Sequence, residues 1–239
     1  MSNTYFQCKQ FTIHQDRCAM KVCTDACLFG AWMAEKVDGD KMAVGRILDI
    51  GAGTGLLSLM LAQKTTALID AIEMDEHAAE QAAENFEASP WKERLQVIRG
   101  DARLVHLGRK YGLIISNPPF FENDLKSGDA KRNLALHSAA LSLEELFPVI
   151  KTNLATDGQF AVLIPYHRKN EFAELAIAGG FYLSEEVLVK QTPDHDYFRV
   201  MQLFTTTVTT PLHTSITIRN GVEHTQQFTD LLKDYYLKL

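Results

Sequence analysis

Leu48-Asp49-Ile50-Gly51-Ala52-Gly53-Thr54-Gly55 closes an apolar run that begins at Arg46 and leads into a second run, Leu56 to Lys64, of helical period. A strand that ends in alternating glycines and passes straight into a helix is the turning point of a parallel α/β sheet. Glycine takes the sharp turn without steric cost and lets a ligand approach the backbone closely. A dinucleotide fingerprint would space its glycines G-x-G-x-x-G, whereas this stretch reads G-x-G-x-G, which disfavours a nicotinamide-dependent oxidoreductase.

Outward from this loop, short apolar runs bounded by Gly, Asp or Pro alternate with longer runs of helical period. The predicted strands are Arg46–Ile50, Leu68–Glu73, Leu95–Gly100, Leu113–Ser116, Gln159–Ile164, Tyr182–Val189 and Val200–Thr206. Helices are predicted at Leu56–Lys64, at Asp75–Ala88 with acids in its first turn, and at Lys169–Ala178 before Gly179-Gly180. Another follows the capping-box pair Ser142 and Glu145, with Leu143, Leu146, Phe147, Ile150 and Leu154 on one face and Pro148 tolerated inside. Only Gln191 to Arg199 separates the last two strands, so they pair most simply as antiparallel neighbours at one edge. The expected architecture is α/β: a mostly parallel seven-stranded sheet with an antiparallel edge pair and helices on both faces. Residues 1–239 are expected to form one domain, with an N-terminal extension (1–45), a core (46–207) and a C-terminal strand and helix (208–239). In the tail, Phe228, Leu231, Leu232, Tyr235 and Tyr236 recur at helical spacing and should dock on the body.

The chain has no apolar run long enough to span a bilayer and no export signal, so a soluble cytoplasmic protein is expected. Its four cysteines, Cys8, Cys18, Cys23 and Cys27, are then expected to be reduced. Cys18, Cys23 and Cys27 are spaced C-x4-C-x3-C without a C-x-x-C pair, which points to packing as small hydrophobes and to no metal. A formal net charge of −6 argues against a protein that coats nucleic acid, but it leaves room for a local basic face. Arg17 and Lys21, together with Lys126, Lys131 and Arg132, are the candidates for one; any single member is as readily a solvated surface charge.

Two further acids stand at strand ends. Glu73 ends the strand after the glycine loop, where a carboxylate can accept both hydroxyl hydrogens of a ribose, and Asp101 closes the next strand. Alone, each is an ordinary turn or cap residue; three successive strand ends with Asp49, Glu73 and Asp101 mark a ligand edge. The loop, with Asp49 two positions ahead of Gly51, resembles the S-adenosylmethionine loop of Rossmann-like class I methyltransferases. That resemblance implies cofactor contacts from Asp49, Gly51, Gly53, Gly55 and Glu73, and an Asp101 that meets the adenine amino group.

After the fourth strand comes Asn117-Pro118-Pro119-Phe120. An amino group conjugated to a ring is a poor nucleophile because its lone pair is delocalised. The Asn117 side-chain oxygen and the Pro118 carbonyl can each accept one N–H and leave that lone pair aimed at a methyl donor. Pro118 and Pro119 fix the backbone beforehand, and Phe120 offers a face for a flipped base. Orientation and dipoles then do the catalysis, and no general base is demanded. In isolation Asn-Pro-Pro is a common turn; downstream of the glycine loop the catalytic reading is favoured.

Phe11 to Met33, the Asp49 loop, Ala71-Ile72-Glu73, Ile115 to Phe120 and Asp234-Tyr235-Tyr236-Leu237 together resemble the bacterial tRNA1(Val) adenine-N6 methyltransferase family. The resemblance implies an S-adenosylmethionine-dependent enzyme acting on the tRNA adenine on the 3′ side of the anticodon; a monomer is expected. It also carries Thr24 and Asp25 over as cofactor-pocket residues, where Thr24 is otherwise read as a helix cap. The family usually has Gly in place of Cys23 and Tyr in place of Phe120. Phe120 is similar to methyltransferases acting on a guanine amino group of ribosomal RNA, which are typically longer. Protein-glutamine methyltransferases share an N-P-P-Y motif but carry a substantial helical domain before the core, where this chain has 45 residues. A non-catalytic cofactor-binding module would not require Asn117-Pro118-Pro119-Phe120. RNA contacts are expected from Arg17, Lys21, Lys131 and Arg132, with His137 a weaker candidate.

Overall fold

The computed structural model describes residues 3–40, 42, 44–118 and 141–239. The central strands are β3 (Arg46–Ile50), β4 (Leu68–Glu73), β5 (Leu95–Arg99), β6 (Tyr111–Ser116), β7 (Leu154–Pro165), β8 (Tyr182–Lys190), β9 (Tyr197–Thr205) and β10 (Leu212–Thr217). They form one eight-stranded sheet in the order β10-β8-β9-β7-β6-β3-β4-β5. Only β9 is antiparallel to its neighbours. Strand β3 lies mid-sheet, which is why it is apolar on both faces at Ile47, Leu48 and Ile50. Ile47 packs into one core, and Leu48 and Ile50 into the other.

Helices α1 (Thr24–Val37), α2 (Leu56–Ala62), α3 (Glu76–Glu87) and the terminal α6 (Gln226–Leu232) cover one face. The other face is covered by α4 (Leu143–Asn153) and α5 (Lys169–Ala178). The capping box at Ser142 and Glu145 is formed, and the sequence placed α5 correctly to the residue. Helix α1 starts from Cys23 as its cap, with no side-chain cap bond, so Thr24 begins the helix rather than capping it.

Two features depart from the expected sheet. It has eight strands, not seven, and the antiparallel pair β8 and β9 is not at an edge, because β10 lies parallel outside β8. Strand β10 is largely polar, and of its residues only Ile216 is buried. An edge strand needs no apolar periodicity on both faces, which is why its sequence did not announce membership of the sheet. The 45 residues ahead of β3 also contain a small antiparallel pair, β1 (Tyr5–Gln7) and β2 (Thr12–His14). Their far end meets the tail at a Cys8 to Tyr236 bridge. The tail helix ends at Leu232, short of the expected Leu239. Tyr235 is buried below it, with its hydroxyl donating to the Met60 carbonyl at 3.0 Å.

Candidate functional site

The carboxyl ends of β3, β4, β5 and β6 converge on a cleft of about 400 Å³. Open α/β sheets bind ligands at this edge. Gly51 and Gly53 form one wall, Glu73 and Asp75 the next, then Gly100, Asp101 and Ala102, and finally Ser116, Asn117 and Pro118. A further wall comes from outside the sheet: Cys18, Ala19 and Met20 of the N-terminal extension.

The three loop glycines all have positive φ, +75° at Gly51, +54° at Gly53 and +80° at Gly55. Their surroundings differ. A Cβ on Gly51 or Gly53 would meet no protein atom within 4 Å, whereas one on Gly55 would fall 2.5 Å from Cε1 of the buried Phe86. Gly51 and Gly53 therefore keep the backbone open toward the cleft, and Gly55 lets the loop seat against α3. The amides of Gly51 and Ala52 donate to the Ile72 carbonyl at 2.9 and 3.0 Å, tying the loop to β4. Glu73 holds it from the other side: Oε2 accepts the Gly53 N–H at 2.8 Å and Oε1 accepts the Asp75 N–H at 2.9 Å. A carboxylate oxygen so engaged still has a second lone pair for a ligand hydroxyl.

Asp101 is gripped by Arg103, whose Nε lies 2.9 Å from Oδ1 and whose Nη2 lies 2.7 Å from Oδ2. This charge-assisted pair holds the Asp101 carboxyl below its ordinary range, so it stands ionised as an acceptor. The remaining arm of Arg103 reaches Glu145 at 2.7 Å, linking the acid to the head of α4.

Asp49 behaves differently from its neighbours. It is fully buried and absent from the cleft wall, and Ser58 of α2 donates to its Oδ2 at 2.7 Å. Burial pushes its pKa up to about 7, against the bonds from Ser58. Among the described residues its Oδ1 has no hydrogen-bond partner. The structure thus places Asp49 beneath the glycine loop, pinning α2 to β3, rather than in the position of a direct ligand contact.

Asn117 is half-buried and Pro118 buried, both on the cleft wall. Ser116 Oγ donates to the Ile50 carbonyl at 2.8 Å, which fixes the end of β6 beside the glycine loop. Pro119, Phe120, Lys126, Lys131, Arg132 and His137 lie outside the described residues.

Thr24 is exposed and, like Asp25, not on the cleft wall. The Asp25 carboxylate instead accepts from Arg199 Nε at the head of β9, at 2.9 Å. Arg17 pairs with Glu84 and Glu80 of α3, and Lys21 donates to the Gln15 carbonyl, so both cations fasten the N-terminal extension. Sequence reasoning missed the residues that hold this wall in place. Asn85, 1% exposed on α3, accepts the His14 N–H and donates to the carbonyls of His14 and Thr54 at 3.0 and 2.9 Å. It therefore clips the extension to the glycine loop, and Gln81, one turn earlier, accepts the Arg17 N–H. The available signal was two amide side chains at i, i+4 on the face that Ala78 and Ala82 show to be buried.

A glycine turn on the central strand, acids at the next two strand ends and Asn-Pro beyond the fourth are the arrangement of a class I methyltransferase. The model of the methyltransferase small domain family matches residues 31–173. Among solved structures, a predicted O-methyltransferase from Agrobacterium tumefaciens superposes with a TM-score of 0.66 at 19% identity, covering 88% of this chain and 96% of that one. Pyrococcus horikoshii TYW2, in complex with MeSAdo, gives a TM-score of 0.59 at 16% identity over 86% of this chain and 73% of its own. At such identities the likeness is one of fold. Curated relatives are nearer in sequence. The tRNA1(Val) (adenine(37)-N6)-methyltransferase of Dyadobacter fermentans is 43% identical over 99% of this chain and 98% of its own. The Parabacteroides distasonis protein of the same name is 40% identical over the full length of both. The chain belongs to the tRNA1(Val) adenine-N6 methyltransferase family.

Proposed function

We propose that this protein methylates N6 of the adenine on the 3′ side of the anticodon in a valine tRNA, using S-adenosylmethionine. The observation that carries this is Asn117-Pro118 on the wall of the glycine-loop cleft, in a chain matched from end to end by relatives named for that reaction. The residues present fit the cofactor: Gly51 and Gly53 leave a cradle that a Cβ would fill, and Glu73 keeps free lone pairs at its rim. Asp101, held ionised by Arg103, is a ready acceptor for an amino group, with the apolar Ile72 and Ala102 beside it. Asp49 acts from beneath, through Ser58 and the loop, and Gly55 through its seat on Phe86.

When bound, S-adenosylmethionine supplies an electrophilic methyl group on a sulfonium. Asn117 Oδ1 and the Pro118 carbonyl accept the two N–H bonds of the target amine and orient its lone pair, with Pro119 and Phe120 assigned to the same motif and Phe120 offering its ring to the base. The proton left on the methylated nitrogen is acidic and passes to water. Residues 1–239 are taken as one cytoplasmic, monomeric catalytic unit without a metal. Asp25, paired with Arg199, and Thr24 then support the N-terminal segment beside the site without lining the cleft, while Lys131 and Arg132 contact RNA. Arg17 and Lys21 add RNA contacts only insofar as they leave their present partners. Among the described residues, no helix is long and apolar enough to cross a membrane.

The test is to incubate the protein with labelled S-adenosylmethionine and unmodified tRNA, digest the RNA, and identify the labelled nucleoside and its position by mass spectrometry. N6-methyladenosine beside the valine anticodon is expected. Label in N2-methylguanosine, or none in RNA, refutes the proposal.

A further inference from the structure

Strand β7 runs parallel to β6, and β8 runs the same way as β7 because both are antiparallel to β9. The end of β7, the end of β8 and the start of β9 therefore emerge on the same edge of the sheet as the cleft. There Tyr166, directly after β7, meets Tyr197, the first residue of β9, with ring centroids 5.5 Å apart and planes inclined at 41°. Lys169 Nζ stands 5.9 Å from the Tyr166 centroid and Lys190 Nζ 5.7 Å from that of Tyr197. Both tyrosines and both lysines are half-buried, so the rings keep exposed surface. Most other aromatic pairs here sit in the core, as with Phe160, Phe172 and Phe204; this one is at the rim, bracketed by cations.

Ser116 pairs with Val162, so Tyr166 stands one strand across and about three residues beyond the level of Asn117. At ordinary strand spacing that is roughly 11 Å. We infer that Tyr166, Lys169, Lys190 and Tyr197 form a docking shelf for the unpaired RNA nucleotides that flank the target base. This deepens the functional proposal above and rests on it. Unpaired bases stack on aromatic faces whatever their identity, and adjacent cations follow the phosphates. Lys169 is shared with Glu186 at 3.6 Å, whereas Lys190 donates to the Pro193 carbonyl at 3.0 Å and, among the described residues, forms no ion pair. In a chain of net charge −6, RNA affinity has to come from such a local concentration of cations and rings.

The test uses the full chain with S-adenosylhomocysteine and an unmodified valine tRNA transcript. Dissociation constants are measured for wild type, for the double variant Tyr166→Ala and Tyr197→Ala, and for the double variant with Phe at both positions. Loss of stacking should weaken RNA binding by roughly 5- to 150-fold per base in the Ala variant, and Phe should restore it because only the ring is needed. Cofactor affinity should stay unchanged in both. If the Ala variant does not fold, Lys190→Glu is the second probe, expected to weaken binding and flatten its salt dependence. Wild type that methylates the transcript while Ala and Glu variants bind it normally overturns the shelf alone. Wild type that methylates no RNA overturns the functional proposal and the shelf with it.

Discussion

Replacing Gly55 by Ala should damage folding, whereas replacing Gly53 by Ala should damage ligand binding, although both belong to one G-x-G-x-G motif. Each substitution forces an L-residue into the left-handed region, since φ is +80° at Gly55 and +54° at Gly53. That shared cost is about 1–2 kcal/mol. The difference lies in what the new methyl meets. At Gly53 there is no protein atom within 4 Å, while at Gly55 the methyl falls 2.5 Å from Cε1 and 3.0 Å from Cζ of Phe86. Phe86 is buried in the main core, so overpacking against it adds about 1–3 kcal/mol. For a chain of this size each kcal/mol shifts Tm by about 2–4 °C, so Gly55→Ala should melt roughly 2–12 °C below Gly53→Ala. Thermal unfolding by circular dichroism reads the gap, and calorimetry with S-adenosylmethionine reads the binding loss expected of Gly53→Ala. Equal melting temperatures for the two variants would refute the reasoning.

Asn117→Ala should leave cofactor affinity near wild type and lower single-turnover methyl transfer by about 100-fold or more; normal turnover would remove Asn117 from the chemistry. Glu73→Ala should weaken cofactor binding by roughly 10- to 100-fold, as for lost bonds to a charged acceptor, and an unchanged dissociation constant in calorimetry would count against the ribose contact. Burial pushes the Asp49 pKa from its ordinary 3.8 up to about 7, so its contribution to stability is full below about 3.8 and is lost as pH rises from there to about 7. Asp49→Asn stays neutral at every pH. Wild type should therefore lose Tm relative to Asp49→Asn between about pH 4 and about pH 7, and a pH-independent difference over that range would show that the acid is ionised in its pocket.

The ends of β3 and β4, the capping box at Ser142 and the limits of α5 were legible in the sequence because each is a local matter: an apolar run, a cap pair, a glycine stop. So was the convergence of Gly51, Gly53, Glu73, Asp101 and Asn117 on one cleft, because strand ends in an open α/β sheet place such residues on one edge by topology alone. Tertiary structure decided what the backbone pattern cannot encode. Asp49 and Glu73 are both acids at strand ends, but Asp49 turns beneath the loop to Ser58 while Glu73 accepts the Gly53 amide of the loop. Asp25 left the predicted pocket because Arg199, far along the chain, offers it a charged partner, and β10 joined the sheet because an edge strand needs only one buried residue. Short-range spacing records which way the chain turns; which side chain finds which distant partner depends on packing between segments that the sequence leaves far apart.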